Sequence, residues 1–137
     1  MSQIALIEED LTYSIIGASH EVYNVLRFGF AEGVYMDALE RELRARGHLV
    51  LREVNVQVWY KGHQLRPQRI DMVVDEKVIV EAKASLKLPE HAPQQLYGYL
   101  RATDFEVGLL LHFGPKGVGH FRVVCSNPES RERPQAI

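Results

Sequence analysis

The chain opens with two stretches whose apolar residues recur at helical spacing. Residues 10–26 place six apolar side chains on one helical face: Leu11, Ile15, Ala18, Val22, Val25 and Leu26. Asp10 stands at the start of this stretch, where an N-cap residue is expected. Residues 32–46 repeat the pattern, and Gly47 follows as a stop signal. The sequence therefore predicts two amphipathic helices.

Alternation of apolar and polar residues then replaces the helical period. It runs from about Leu49 to Tyr60, which predicts a half-buried β-strand, and a turn follows at residues 61–63. Residues 69–83 contain two strands that are apolar on both faces and are joined by a polar turn. Such strands are typical of a sheet covered on both sides.

A third helix and two more strands are predicted in the rest of the chain. Pro89 and Pro93 bracket the helix start. Residues 105–113 form an apolar run that ends at a Gly-Pro pair, and residues 119–125 form the last strand. The predicted order is α-α-β-β-β-α-β-β.

This order predicts an α/β or α+β domain, in which a mixed β-sheet is flanked by helices. Residues 1–125 are expected to form one domain, since 137 residues suffice for a single core and no linker interrupts them. Residues 126–137 are rich in Pro, Arg, Glu and Ser, and we expect them to be a mobile tail.

Composition narrows the class of protein. Hydrophobic content of 46% and charged content of 25% are ordinary for a folded globular chain. A net charge of −2 argues against a protein that coats nucleic acid through bulk positive charge. Because Cys125 has no partner cysteine and no leader pattern opens the chain, we expect a cytoplasmic protein. No apolar run approaches the roughly 18 residues of a membrane span, so no membrane partner is expected.

Three charged residues, Asp71, Glu81 and Lys83, interrupt the apolar hairpin. Glu81 and Lys83 share a face, because side chains alternate along a strand. A three-residue turn at 75–77 would pair Asp71 directly with Glu81. A two-residue turn would pair Asp71 with Val80 and send Glu81 to the opposite face.

In the first register, two carboxylates lie side by side. Their Cβ atoms would be roughly 5 Å apart, and at an effective dielectric near 20 their repulsion is about 3 kcal/mol. Mg²⁺ offsets such repulsion, because it prefers carboxylate oxygens and keeps sites for water and phosphate. With Lys83 stabilising the transition state, the group suits phosphodiester hydrolysis. The alternative is an Asp71–Lys83 ion pair, with Glu81 facing solvent.

Two motifs in this region are similar to those of a known superfamily. Asp71, nine intervening residues and Glu81-Ala82-Lys83 resemble the D…(D/E)xK signature of the PD-(D/E)XK nuclease superfamily. Gln95-Leu-Tyr-Gly-Tyr99 resembles the QxxxY motif of the recombination-exonuclease branch of that superfamily.

A third motif lies upstream. Gly29-Phe-Ala-Glu32-Gly-Val-Tyr35 resembles the signature of the GxxExxY family, which is assigned to the same superfamily. The resemblance extends from about Leu11 to Val124. It implies a restriction-endonuclease-like fold and a nuclease that uses Mg²⁺ or Mn²⁺ to hydrolyse DNA or RNA.

The resemblance also implies residue roles. Asp71 and Glu81 would bind the metal, and the backbone carbonyl of Ala82 would add a ligand. Lys83 would be the catalytic lysine, and Gln95 would orient it or the attacking water.

Glu32 would complete the metal site, directly or through water. The helical stripe independently turns Glu32 toward the sheet. The alternative is that Glu32 only complements the dipole of its helix.

Candidate nucleic-acid contacts surround the predicted site, with DNA expected in preference to RNA. Four residues flank it or lie on the same helix face: Tyr99, Arg69, Lys87 and Arg101. Trp59 and Tyr60 could stack on bases, although packing is the commoner use of aromatic residues at a strand end. His112, in an apolar strand, is predicted to be a hydrogen-bonded core residue.

Two other functions stay open at this point. One is a non-catalytic nucleic-acid-binding or regulatory module that retains the nuclease fold. The other is an interaction domain that acts as a homodimer through a sheet edge or a helix stripe.

Overall fold

The computed structural model describes residues 7–125, and the predicted C-terminal tail lies outside them. The helices are α1 (Glu9–Leu26), α2 (Glu32–Ala45) and α3 (Ala92–Arg101). The strands are β1 (Val50–Val56), β2 (Trp59–Tyr60), β3 (His63–Gln64), β4 (Gln68–Val74), β5 (Val78–Ala84), β6 (Val107–Gly114) and β7 (Gly117–Val124).

Five of the strands form one mixed sheet in the order β1-β4-β5-β6-β7. All neighbours are antiparallel except β5 and β6, which run parallel. A parallel pair needs a crossover, and α3 provides it. The mixed sheet flanked by helices confirms the predicted fold class.

The helices cover both faces of this sheet. One core layer joins α1 and α2 to Met72, Val80 and Leu109 of the sheet, and the opposite layer joins α3 to Val73 and Ile79. Both faces of β4 and β5 are therefore buried, which explains their continuous apolar sequences.

The predicted strand from Leu49 to Tyr60 is wrong in one respect. It divides into β1, which belongs to the main sheet, and β2, which pairs with the short β3 in a separate two-stranded ribbon. Alternation continues through residues 57 and 58, so the hydrophobic pattern carries no sign of the break. The predicted order is correct for the five strands of the main sheet.

The start of α1 also differs from the prediction. Glu8, with φ 55°, precedes the helix as its N-cap, so Asp10 lies in the first turn instead. A carboxylate in the first turn complements the helix dipole without capping the backbone. Val25, which was predicted on the buried stripe, is 71% exposed.

The β4–β5 turn is anchored to the loop that precedes β1. Asp75 accepts hydrogen bonds from the Leu49 N–H at 2.8 Å and binds the His48 ring through Nδ1 at 2.7 Å. Ser14 of α1 lies 2.8 Å from the other ring nitrogen of His48. This chain of contacts ties α1, the α2–β1 loop and the hairpin turn together.

None of the helices within residues 7–125 is long and apolar enough to cross a membrane.

Candidate nuclease site

The hairpin adopts the register that brings the two acids together. Val74 pairs with Val78 and Met72 with Val80, so residues 75–77 form a three-residue turn. Continuing this register places Asp71 opposite Glu81, as the clustering hypothesis requires. The two-residue alternative is thereby excluded.

At this pair, the carboxylates of Asp71 and Glu81 accept hydrogen bonds from backbone N–H groups across the hairpin. The Asp71 N–H donates to the Glu81 carboxylate at 2.6 Å, and the Ala82 N–H donates to the Asp71 carboxylate at 3.1 Å. Each side chain therefore satisfies a backbone donor of the opposite strand. These reciprocal bonds tether each carboxylate to the backbone of the opposite strand.

The strands separate at this point. The β4–β5 ladder ends at the Met72–Val80 pair, whereas β5 stays paired with β6 as far as Ala84 and Phe113. We call the gap between β4 and β5 beyond this pair the fork. Asp71 and Glu81 line it, one from each side.

The outer neighbour of Asp71 is irregular as well. In the β1–β4 ladder, Arg52 pairs with Met72 and Val54 with Ile70, and Glu53 between them has φ 56°. In β4 itself, Ile70 packs in the α3 layer, although Met72, two residues away, packs in the α1–α2 layer. The alternation of faces along β4 is therefore interrupted between Ile70 and Met72, on either side of Asp71.

Glu81 is buried in an environment that opposes its ionisation. The residue is only 5% exposed. Burial and, secondly, the charge of Asp71 raise the pKa of Glu81 to about 8, even though the Asp71 N–H and Lys83 act in the opposite direction. Among residues 7–125, no ion pair compensates Asp71 or Glu81.

Glu32, the first residue of α2, is electrostatically coupled to the same group of residues. Burial raises the pKa of Glu32, the charge of Asp71 raises it further, and Lys83 lowers it. Electrostatic coupling to both residues fits the prediction that this helix face turns toward the sheet. Within the described range, however, no cluster of three or more His, Cys, Asp or Glu side chains is arranged to hold a metal ion. Asp71 and Glu81 thus form a pair, with Glu32 nearby.

Lys83 and Ala82 complete the β5 part of the site. Lys83 is half-buried, and its positive charge lowers the pKa of both Glu32 and Glu81. Ala82 is fully buried, and its N–H is the group that donates to Asp71. The peptide of Ala82 therefore adjoins the carboxylate pair.

The two motif residues of α3 are placed differently. Tyr99 is 8% exposed, and burial together with the charges of Glu81 and Asp71 raises the pKa of its hydroxyl. Gln95 lies one turn earlier and is exposed, and in the described part of the chain no hydrogen bond joins its side chain to Lys83. Tyr99 thus adjoins the acids, whereas Gln95 lies at the solvent boundary.

The GxxExxY residues shape the turn that presents Glu32. Gly29 has φ 128°, a conformation that favours glycine. Tyr35 is fully buried and stacks on Phe113 at 4.5 Å between ring centroids. Its hydroxyl donates to the Arg27 carbonyl at 2.5 Å, which fastens the α1–α2 turn. Two residues of the motif therefore support the third.

The three cations predicted to contact nucleic acid are all exposed. Arg69 lies 3.9 Å from Glu53 across the β1–β4 ladder, in an exposed ion pair. Lys87 lies in the loop after β5, and Arg101 is the last residue of α3. No contact in the described residues draws these three cations together.

His112 contacts the strand that carries Lys83, and the sequence predicted only part of this arrangement. His112 pairs with Lys83 in the parallel ladder, and its Nε2 lies 2.9 Å from the Ser85 carbonyl oxygen. The Ser85 hydroxyl in turn donates to the Lys87 carbonyl at 2.7 Å. The predicted hydrogen bonding of His112 is confirmed, although the residue is half-buried and not part of the core. Its partner could not be predicted, because it lies across the sheet and beyond a strand end.

Comparison with known proteins decides the family. A model of the PD-(D/E)XK nuclease superfamily matches residues 9–123, which is most of the chain. The chain belongs to the PD-(D/E)XK nuclease superfamily. The search of curated proteins gives no match.

One solved structure supports the fold. The crystal structure of a protein titled SSO0001 superposes with a TM-score of 0.55 at 20% sequence identity. The match covers 67% of this chain and 48% of the solved one, so the chain spans about half of that protein's length. At this identity the likeness concerns the fold alone, and it agrees with a restriction-endonuclease-like architecture.

Proposed function

We propose that this PD-(D/E)XK protein is a metal-dependent nuclease of the GxxExxY type, which hydrolyses phosphodiester bonds with Mg²⁺ or Mn²⁺. The observation that carries the proposal is the reciprocal bonding of Asp71 and Glu81 within the fork. The proposal also includes DNA in preference to RNA as substrate, and a cytoplasmic location, both inferred from the sequence.

The donor set fits a hard divalent cation. Two carboxylates share a largely buried gap, and no ion pair within residues 7–125 balances them. Oxygen ligands of this kind suit Mg²⁺ or Mn²⁺. Asp71 and Glu81 would hold the cation, with the Ala82 carbonyl as a further ligand and Glu32 acting directly or through water.

Each residue has a separate task in the proposed reaction. When bound, the cation supplies Lewis acidity toward the phosphate and the attacking water. The backbone N–H groups of Asp71 and Ala82 keep the two carboxylates oriented before substrate arrives. Lys83 places its ammonium on the β5 face that carries Glu81, where it would stabilise the negative charge that develops on the phosphate. Gln95 would orient Lys83 or the water once substrate is bound.

Metal binding can be tested apart from cleavage. In calorimetric titration with Mn²⁺, wild type should bind, whereas Asp71→Ala and Glu81→Ala should not. Loss of one carboxylate leaves a single oxygen-donor side chain where the pair stood. Glu90→Ala, which removes an exposed acid from the loop before α3, should bind as wild type does. A wild-type protein that binds neither Mn²⁺ nor Mg²⁺ would remove the proposed metal chemistry.

The role of Lys83 predicts a separation of binding from catalysis. Lys83→Ala should keep Mn²⁺ affinity and lose cleavage by roughly 100- to 1,000-fold, as expected when one transition-state donor is deleted. Release of a fluorophore from labelled DNA measures the rate. Lys77→Ala, in the turn at the opposite end of β5, is the matched control and should cleave normally. Equal cleavage by wild type and Lys83→Ala would exclude the lysine from the reaction.

A further inference from the structure

A two-stranded ribbon projects from the main sheet and has no role in the site described above. β2 and β3 pair through Trp59–Gln64 and Tyr60–His63, and the Leu65 N–H donates to the Val58 carbonyl at 2.8 Å. We call residues 57–67, which contain this ribbon, the arm. A separate two-stranded ribbon of this size buries little apolar surface, so it contributes little to the core. Its residues can therefore serve a function other than folding.

The arm starts from the end of the sheet at which the fork opens. It connects the end of β1 to the beginning of β4, and Asp71 lies four residues beyond Pro67. β5 runs antiparallel to β4, so its C-terminal end, with Lys83, lies at this same end of the sheet. A strand bound along the arm would therefore lead toward the carboxylates.

The charge of this segment is opposite to that of the whole chain. The arm contains Lys61 and Arg66 and no acidic residue, although the whole chain has a net charge of −2. Both cations are exposed. A locally basic segment beside a phosphodiester-cleaving centre matches the charge of a nucleic-acid backbone.

The arm also exposes aromatic surface. Tyr60 is 58% exposed, and the Lys61 ammonium lies 5.4 Å from the centre of its ring. At the root of the arm, Trp59 lines a cleft of about 230 Å³ together with Ile70 and Phe105. Ile70 immediately precedes Asp71. Aromatic rings stack on bases only where the bases are unpaired, so this surface suits a single strand better than a duplex.

We propose that the arm binds single-stranded nucleic acid and leads it into the fork, with Tyr60 stacking on a base and Lys61 and Arg66 contacting phosphates. This inference rests on the proposed nuclease function and names the form of its substrate. Duplex is the competing substrate, and the test includes it.

Binding is measured in EDTA, so that cleavage does not contribute. The probes are a fluorescein-labelled single-stranded DNA, its duplex and a single-stranded RNA of the same sequence, followed by fluorescence anisotropy. Wild type should bind both single strands more tightly than the duplex. Tyr60→Ala should weaken single-strand binding about tenfold, while Tyr60→Phe retains it because the stacking ring remains.

The charged residues give a separate readout. The Lys61→Gln/Arg66→Gln double variant should lower the slope of log affinity against log salt by about 1.4, which corresponds to two lost phosphate contacts on a single strand. Arg41→Gln removes an exposed cation from α2 and should leave that slope unchanged. Because all these side chains are exposed, the variants are expected to keep the fold, and thermal melting of each variant checks this.

The outcomes separate the two proposals. The proposed role of the arm is overturned if the arm variants bind as tightly as wild type, or if the protein prefers duplex and this preference does not depend on Tyr60. Either result overturns that role even if the protein cleaves DNA with Mn²⁺. If single strands bind in an arm-dependent way but are not cleaved in Mg²⁺ or Mn²⁺, the proposed role of the arm is supported and the proposed nuclease function is overturned. Arm-dependent binding together with cleavage supports both.

Discussion

At the scale of single residues, the proposed metal ligand Glu81 opposes the stability of its own fold when it is ionised. Its carboxyl group is buried, and the charge of Asp71 lies beside it, so ionisation costs free energy in the folded protein. An unfolded chain imposes no such cost. The metal-free protein is therefore expected to carry a pH-dependent instability.

The sign of this effect follows from the raised pKa. Because folding raises the pKa of Glu81 from 4.5 to about 8, its stabilising contribution is complete below pH 4.5 and is lost as the pH rises through 8. In EDTA, Glu81→Gln should therefore become more stable than wild type as the pH rises from 6 to 9. Between pH 6 and pH 9 the difference should grow by on the order of 3 kcal/mol, measured by urea unfolding. Glu90→Gln is the control, and a wild type that parallels Glu81→Gln at every pH would contradict the assignment.

Asp75 shows the opposite behaviour. It contacts the Leu49 N–H and His48, and Ser14 contacts the far side of the His48 ring. The three side chains are ordered like a catalytic triad. Ser14 nevertheless lies in the middle of α1, where neighbouring N–H groups are engaged in helical hydrogen bonds and form no oxyanion hole. We therefore assign the group a structural role.

The Asp75 contacts predict a loss of stability in acid. Partial burial favours the neutral form, but hydrogen bonds from His48 and Leu49 prevail and lower the pKa of Asp75 below 3.8. Its contribution is thus present above this pH and lost as the pH falls through the lowered value. Asp75→Asn should cost about 1.5 kcal/mol at pH 6 in urea unfolding, and this difference should shrink below pH 4. Glu76→Gln, at the next position of the turn, should cost little. A deficit that is the same at pH 3 would disprove the account.

At the scale of elements, α3 lies unusually close to the sheet. A Cβ on Gly108 of β6 would lie 2.8 Å from the Leu96 side chain, and Leu96 is fully buried. Only a glycine therefore allows the helix to approach the sheet this closely. This approach sets the distance from Tyr99 to the carboxylates.

Gly108→Ala should consequently affect both stability and activity. The added methyl forces Leu96 and α3 outward, at a cost of about 1–3 kcal/mol in thermal or urea unfolding. Cleavage should fall even at temperatures where the variant is fully folded, because Tyr99 moves with the helix. Gly98→Ala tests the specificity of the effect: a Cβ there meets no atom within 4 Å, and alanine favours a helix. Wild-type cleavage by folded Gly108→Ala would separate the helix position from function.

The sequence predicts these elements unevenly, and the reasons are physical. α2 and β5 agree with their predicted positions, because a helical stripe and an apolar run are local signals. The exchange of faces at Ile70 accompanies a positive φ at Glu53 in the neighbouring strand, and no local pattern reveals either feature. The same holds for Gln95, whose exposure depends on how α3 docks.

At the scale of the whole molecule, the site combines parts that are distant in the sequence. Glu32 comes from the first helix pair, Asp71 and Glu81 from the hairpin, and Tyr99 from the crossover helix. The acids could be proposed from sequence because two charges in buried strands are costly and therefore informative. Their reciprocal bonds to Asp71 N–H and Ala82 N–H could not, because they exist only where the strands separate.

The register of the hairpin makes the number of residues in the turn at 75–77 an evolutionary constraint. Removing Glu76 would preserve every side chain of the centre, yet the shortened hairpin would slip by one position and turn Glu81 to the opposite face. A deletion of one codon at the surface would thus disrupt the proposed metal site as completely as replacement of a carboxylate. Among homologous genes, we expect substitutions of Glu76 and Lys77 to be tolerated and changes in the length of the turn to be rare.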